Sequence, residues 1–195
     1  MMIRSFLAIE IPEDIRKKMY ESFARLHRQA SSVKWVEAQN MHLTLHFLGL
    51  VSEELLENEI VPRLKKMAAE SKALAYSLRG VGIFPSLQKP RIFWAGIEGD
   101  LSELKRLKLK IEKEFESFAL PSDKKEFHPH ITLGRIKELG DRKIWQKALE
   151  EYEKIDFGSF KAKELSLFKS ELTSKGPLYT RIRVFALQNS FRNSE

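Results

Sequence analysis

The chain has 195 residues, 43% of them hydrophobic and 10% aromatic, enough for one large domain or two small lobes with a real core. It contains no cysteine, which excludes disulfides, thiolate nucleophiles and Cys-ligated metals, and no apolar run approaches the ~20 residues of a membrane span. A formal net charge of +7 favours a polyanionic partner, although no long Lys/Arg block or Arg/Gly-rich tail marks a disordered nucleic-acid arm.

In chain order, residues 2–11 (MIRSFLAIEI) read as a first strand. This start lacks the small-residue cleavage site of a signal peptide, so a cytoplasmic protein without membrane association is expected. Pro12 opens a helix to about residue 30, with Glu13 and Asp14 in its first turn and Ile15, Met19, Phe23 and Leu26 at helical spacing. VKWV is a short strand, and a turn through Gln39 and Asn40 leads into HLTLHFLGLV. Ser52 is placed to cap a helix reaching about residue 71, which Pro62 must kink or restart. ALAYSLRGVGIF reads as a strand pair or a bent strand broken near Gly80 and Gly82, and FPSLQKPR as an exposed loop. A strand over 91–98 follows, then a helix over 101–118 with Leu101, Leu104, Leu107 and Ile111 on one side. A loop holding Pro121 precedes HPHITLGRI. A helix over about 141–154 and two strand-like stretches, 158–172 and 178–187, close the chain, the latter pair joined by the turn Ser174-Lys175-Gly176-Pro177.

A four-residue pattern occurs twice, as His42-Leu43-Thr44-Leu45 and His130-Ile131-Thr132-Leu133. On a strand, His42 and Thr44 share one face, as do His130 and Thr132, each pair spaced by roughly 7 Å. Leu43, Leu45, Ile131 and Leu133 point into a core. With only five His and four Thr in the chain, chance does not explain the doubling. The surroundings repeat too. Arg4-Ser5-Phe6-Leu7-Ala8 is similar to Arg91-Ile92-Phe93-Trp94-Ala95 at an offset of 87 residues (4 to 91), and the two patterns lie 88 apart (42 to 130). We infer an internal duplication. The expected fold is α+β and bilobal, two pseudo-twofold-related lobes, each an antiparallel sheet packed by helices, with the His–Thr faces opposed across a cleft.

Two imidazoles across a cleft suit general acid and general base work, because a His pKa near 6.5 allows either protonation state near neutrality. Two inward hydroxyls can donate to oxyanions. Together these groups fit in-line displacement at phosphorus with no metal, thiol or covalent intermediate. His46, in phase with His42 and Thr44, reads as a solvated edge residue. His128 is in phase with His130, and Pro129 holds it extended. His128-Pro129-His130 with His42 suggests a metal, but no Asp or Glu is in phase on either strand, so none is expected. His27 reads as surface. Phe47, Phe84, Phe93 and Trp94 read as core, with base stacking by the last three as the alternative.

The doubled H-x-T-L, together with RSFLAIEIP, HLTLHFLG, PRIFWAGI and HPHITLGR, resembles the 2H phosphoesterases. Within them the chain is most similar to the bacterial and archaeal RNA 2′,3′-cyclic phosphodiesterases, once called 2′-5′ RNA ligases. The resemblance implies a single bilobal domain over residues 1–195 and metal-independent opening of a terminal 2′,3′-cyclic phosphate to a 2′-phosphate. It implies His42 as proton donor to the leaving 3′-oxygen and His130 as the acceptor that activates water, roles which the two like motifs alone leave open. It implies that Thr44 and Thr132 bind phosphate, that no cofactor is needed, and that the partners are RNA ends or nucleotides bearing a 2′,3′-cyclic phosphate. Arg135 follows the second pattern, where the family often has a basic residue. Strict alternation from His130 puts it on the wrong face, so a phosphate role requires the strand to twist or end at Gly134. The alternatives are 2′-5′ joining of RNA ends by the reverse reaction and a non-catalytic RNA-end binding module. A self-contained cleft predicts a monomer.

Overall fold

The computed structural model describes residues 1–118, 120, 126–138, 140–174 and 176–188; Pro121 and its loop, and Lys175 of the closing turn, lie outside them. Strand β1 (Met2–Glu10) is buried on both faces from Ser5 to Ile9, because strands flank it on either side and layers cover it above and below. It pairs antiparallel with β3 (His42–Ser52) and with β8 (Glu164–Thr173), and β8 pairs with β9 (Gly176–Ala186), giving a four-stranded sheet in the order β3-β1-β8-β9. The second sheet has five antiparallel strands: β2 (Val33–Trp35), β6 (Ile131–Ile136), β5 (Ile92–Gly99), β4 (Leu74–Phe84) and β7 (Asp156–Ala162). The α+β class and the two antiparallel sheets are as expected.

The halves of the sequence do not map onto the sheets. Strands β2 and β4 come from the first half but lie in the second sheet, while β8 and β9 come from the second half and complete the first. The helices are exchanged as well. Helix α1 (Glu13–Ser22) touches β7, and Phe23 at its end packs edge-on against Phe93 of β5. Helix α2 (Ala24–Gln29) follows at once, so the predicted single helix is broken where Phe23 turns into the core. Helix α3 (Glu53–Leu55) is capped as predicted, Ser52 Oγ accepting from the Leu55 N–H at 3.1 Å. A wide π turn over Leu56–Ile60 leads to α4 (Val61–Ala69), which places Pro62 in a first turn where its missing N–H is harmless. Helix α4 lies on β9, and α5 (Leu101–Phe115) lies on β3. Helix α6 (Arg142–Glu151), capped by the Asp141 carboxylate on the Lys143 N–H, returns Trp145 to Phe93 in the second sheet. Among the described residues, nearly all buried apolar side chains belong to one core cluster, Phe6 and Ala8 on the histidine face of β1 being outside it.

One other expectation needs correction, and one alternative is decided. Residues 158–172 are two strands that change sheets at Lys163, because β7 pairs with β4 and β8 with β1. ALAYSLRGVGIF is the bent strand β4, its register with β5 shifting between Leu78 and Val81 at Gly80, whose φ is +67°.

Gly82 of β4 lies opposite Trp94 of β5, and a Cβ there would come 2.1 Å from an indole carbon. Gly82→Ala must therefore displace Trp94. We expect a loss of about 1–3 kcal/mol from overpacking. Thermal denaturation would register it as a fall of roughly 2–4 °C per kcal/mol.

Candidate active site

His42 opens β3 and His130 immediately precedes β6, and these two strands meet between the sheets. Each imidazole is held the same way. His42 Nδ1 lies 2.7 Å from the Asn40 carbonyl oxygen, and His130 Nδ1 lies 2.7 Å from that of His128. A carbonyl only accepts, so each Nδ1 carries the hydrogen and each neutral ring presents a lone pair on Nε2. His128 contributes its backbone rather than its exposed ring, which lies 3.7 Å from Glu126.

Both strands bulge at the leucine that ends the pattern. Opposite β1, His46 pairs with Leu7 and Thr44 with Ala8, so Leu45 is the extra residue; a second shift skips Leu48. Opposite β5, Gly134 pairs with Phe93 and Thr132 with Trp94, so Leu133 is the extra residue. A bulge resets the alternation of faces. Thr132 and Arg135 therefore share a face, as do Thr44 and Phe47, and Arg135 reaches the face that strict alternation denied it. In the first strand the same device reverses two expectations. His46 is 4% exposed and turned to the core, its Nδ1 3.2 Å from Nζ of the buried Lys108 on α5. Phe47 is 49% exposed on the histidine face. The register also shifts the repeat: Ala8 and Trp94 hold equivalent places, an offset of 86 residues (8 to 94), where sequence similarity indicated 87.

The two half-sites differ in their neighbours. His42 stacks on Phe6 at 4.8 Å, with Phe168 beyond it and Tyr179 edge-on at 5.4 Å. His130 meets the edge of Phe84 at 5.1 Å, and Phe84 is itself stacked on Trp94. Phe84 and Trp94 thus line the site rather than the core, whereas Phe93 is fully buried. His27 is half-buried at the surface, lying against Tyr20 and Trp35.

Burial among these rings drives His42 down from 6.5 to about 4, opposed by its bond to Asn40 and by the Glu10 carboxylate; Arg135 pushes it lower. Burial lowers His130 also, with Arg135 and His128 adding to the effect against its bond to the His128 carbonyl. The Arg135 guanidinium acts on Tyr179 as well. One cation therefore reaches both histidines across the cleft. Glu10 stands directly opposite His42 in the sheet and accepts from Ser166 Oγ and from Arg181 Nη1 at 2.9 Å. Sequence reasoning missed Glu10, Phe6, Phe168 and Tyr179. Only Phe6 and Glu10 had a visible signal, the alternation along β1. Among the described residues, no group of three or more His, Asp or Glu is placed to hold a metal ion, and no helix is long and apolar enough to cross a membrane.

This pairing of sheets around two matched histidine strands defines a class of protein known from other chains. Residues 12–173 match the model of the 2′-5′ RNA ligase superfamily, and the chain belongs to that superfamily. It is 32% identical over 183 residues to an RNA 2′,3′-cyclic phosphodiesterase of Methanocaldococcus jannaschii, covering 93% of this chain and 99% of that one. It is 38% identical over 147 residues to an Aeropyrum pernix protein of the same name, covering 75% and 82%. The crystal structure of TT0787 of Thermus thermophilus superposes with a TM-score of 0.81 at 30% identity, covering 97% of this chain and all of that one. Escherichia coli LigT complexed with 3′-AMP superposes at 0.76 and 26%, covering 96% and 99%.

Since folding lowers the His42 pKa from 6.5 to about 4, the unfolded chain binds a proton in that interval which the folded chain refuses. The stabilising contribution is present in full above pH 6.5 and is lost as pH falls to about 4. We expect this loss to be on the order of 3 kcal/mol. Denaturant unfolding should show it, and His42→Phe should flatten that part of the curve.

Proposed function

We propose that this protein hydrolyses terminal RNA 2′,3′-cyclic phosphates to 2′-phosphates without a metal ion, with His42 as proton donor and His130 as proton acceptor. The carrying observation is the matched pair of Nδ1–H bonds to backbone carbonyls, which gives both rings the same tautomer and frees both Nε2 atoms. His130 Nε2 takes a proton from water as the water oxygen bonds to phosphorus. The bond from phosphorus to the 3′-oxygen breaks in line with that attack, and His42 Nε2 delivers its proton to the departing oxygen. Thr44, Thr132 and Arg135 hold the non-bridging oxygens, the guanidinium offsetting the charge that gathers there.

The proton donor must be charged at the start of the reaction, although burial holds His42 neutral at pH 7. The phosphodiester anion, set beside both rings, raises both pKa values. Glu10 adds to this at His42 alone, against the burial that lowers that ring to about 4. The single domain supplies both half-sites, so a monomer suffices, and its two lobes are read as products of duplication. A cytoplasmic location, where such RNA ends are available, belongs to the same proposal.

A short RNA ending in a 2′,3′-cyclic phosphate should be converted to the 2′-phosphate in excess EDTA. His42→Ala and His130→Ala should each lower kcat by roughly 10²–10⁴-fold. The double variant should be little worse than either single one. Strict dependence on a divalent metal, or near-normal turnover by either variant, would overturn the mechanism. Arg135→Ala should lose on the order of tenfold or more in kcat/KM, only partly restored in Arg135→Lys because an ammonium lacks the planar fork.

A further inference from the structure

Lys34 is the middle residue of β2 and lies directly opposite Arg135 of β6. Directly opposed residues of an antiparallel pair project from the same face with their Cβ atoms about 5 Å apart. The bulge at Leu133 brings Arg135 to the cleft face, so Lys34 stands on that face too, one strand further out, at the edge of the sheet. Its side chain is exposed, and its Nζ would sit 3.7 Å from a Cβ added at Gly176, at the start of β9. The next residue, Pro177, offers its carbonyl to Asn40 Nδ2 at 3.4 Å, and the Asn40 carbonyl is the one that fixes His42. Lys34 thus occupies the rim where the β8–β9 hairpin closes towards the histidines.

Among the described residues, neither Lys34 nor Arg135 faces a carboxylate within ion-pair distance, and the two cations are direct neighbours on one face. Adjacent unpaired cations repel each other, and an anion lying across both relieves that repulsion. Lys34 lies on the edge strand, one strand outward from Arg135 and His130, which places it one step further from the reacting phosphorus. That step, about one strand spacing, is comparable to the distance between neighbouring phosphates of an RNA chain.

We propose that Lys34 binds the phosphate on the 5′-oxygen of the terminal nucleotide, so that the site selects RNA chain ends and 5′-phosphorylated nucleotides over cyclic phosphates with a free 5′-hydroxyl. This rests on the function proposed above and names its substrate class. It makes Lys34 a determinant of specificity that leaves the proton transfers to the histidines.

The test compares kcat/KM for adenosine 2′,3′-cyclic phosphate with that for the same nucleotide carrying a 5′-phosphate. Wild type should favour the second by roughly tenfold, the discrimination expected of one charge-assisted contact. Lys34→Gln should bring the two values close together, and Lys34→Arg should restore the gap. No preference in wild type, or a preference untouched by Lys34→Gln, would overturn the inference while leaving the hydrolytic reading intact. A binding measurement needs no turnover: the affinity for a fluorescent RNA dinucleotide ending in a 2′-phosphate, followed against salt. Losing one phosphate contact should make the slope of log K against log salt shallower by about 0.7. If wild type turns over neither nucleotide, the hydrolytic reading fails and this slope decides alone; an unchanged slope in Lys34→Gln refutes the contact.

Discussion

A regular strand shows every second side chain to a given face, and that constraint shapes the site more than any single contact. The pattern H-x-T-L uses alternation for its first three residues and then suspends it. The bulges at Leu45 and Leu133 let a leucine stay in the core while the residue two places further on, Phe47 or Arg135, joins the histidine face. Without the bulge at Leu133 the guanidinium would point away from the cleft. The charge of Arg135 acts on both histidines. Gly134 follows the bulge because a Cβ there would fall 2.7 Å from Val33 on the neighbouring strand.

Holding two rings in register across two sheets requires that the sheets not slide. The exchange of strands and helices between the halves supplies that. Helix α5, linked in sequence to β5 of the second sheet, packs on β3 of the first. There the buried Lys108 lies between His46 and Glu112, at 3.2 and 2.7 Å, with Phe127 of the segment leading to His130 over its ammonium. One side chain therefore touches the strand that carries His42 and the segment that carries His130. A charge so deeply buried is costly to leave unpaired, so this junction resists rearrangement.

What could be read in the sequence followed the range of the interaction. His42, Thr44, His130 and Thr132 were legible because their geometry needs only the local period of a strand. Lys108, Lys34 and Glu10 were not, because each matters through a residue far away in sequence. His46 and Phe47 read onto the wrong faces, and Arg135 needed an irregularity that alternation does not show, for a different reason: a bulge leaves no composition signal, and one extra residue inverts every face beyond it. The same sensitivity explains the repeat. Aligning Phe6 with Phe93 by identity suggested 87 residues, yet Phe6 stacks on His42 while Phe93 is buried in the core. The exchange of β4 and β8 was equally invisible, since the alternating pattern within a strand does not say which sheet receives it.

The two half-sites are alike in backbone and unlike in charge, and the difference follows from packing. At the structural offset of 86, the counterpart of Glu10 is Gly96. Glu10 faces His42 across the sheet and is held there by Ser166 and Arg181. Gly96 has no room for any side chain, because a Cβ would lie 2.4 Å from the Arg79 carbonyl oxygen. His42 therefore has a carboxylate that favours its charged form, whereas the charges acting on His130, those of Arg135 and His128, oppose it. A ring beside a carboxylate is easier to hold protonated and a ring beside a guanidinium easier to hold neutral. In the reaction proposed here those are the states needed by the donor and the acceptor. In that proposal, one carboxylate on β1 and one glycine on β5 would give two like motifs different roles.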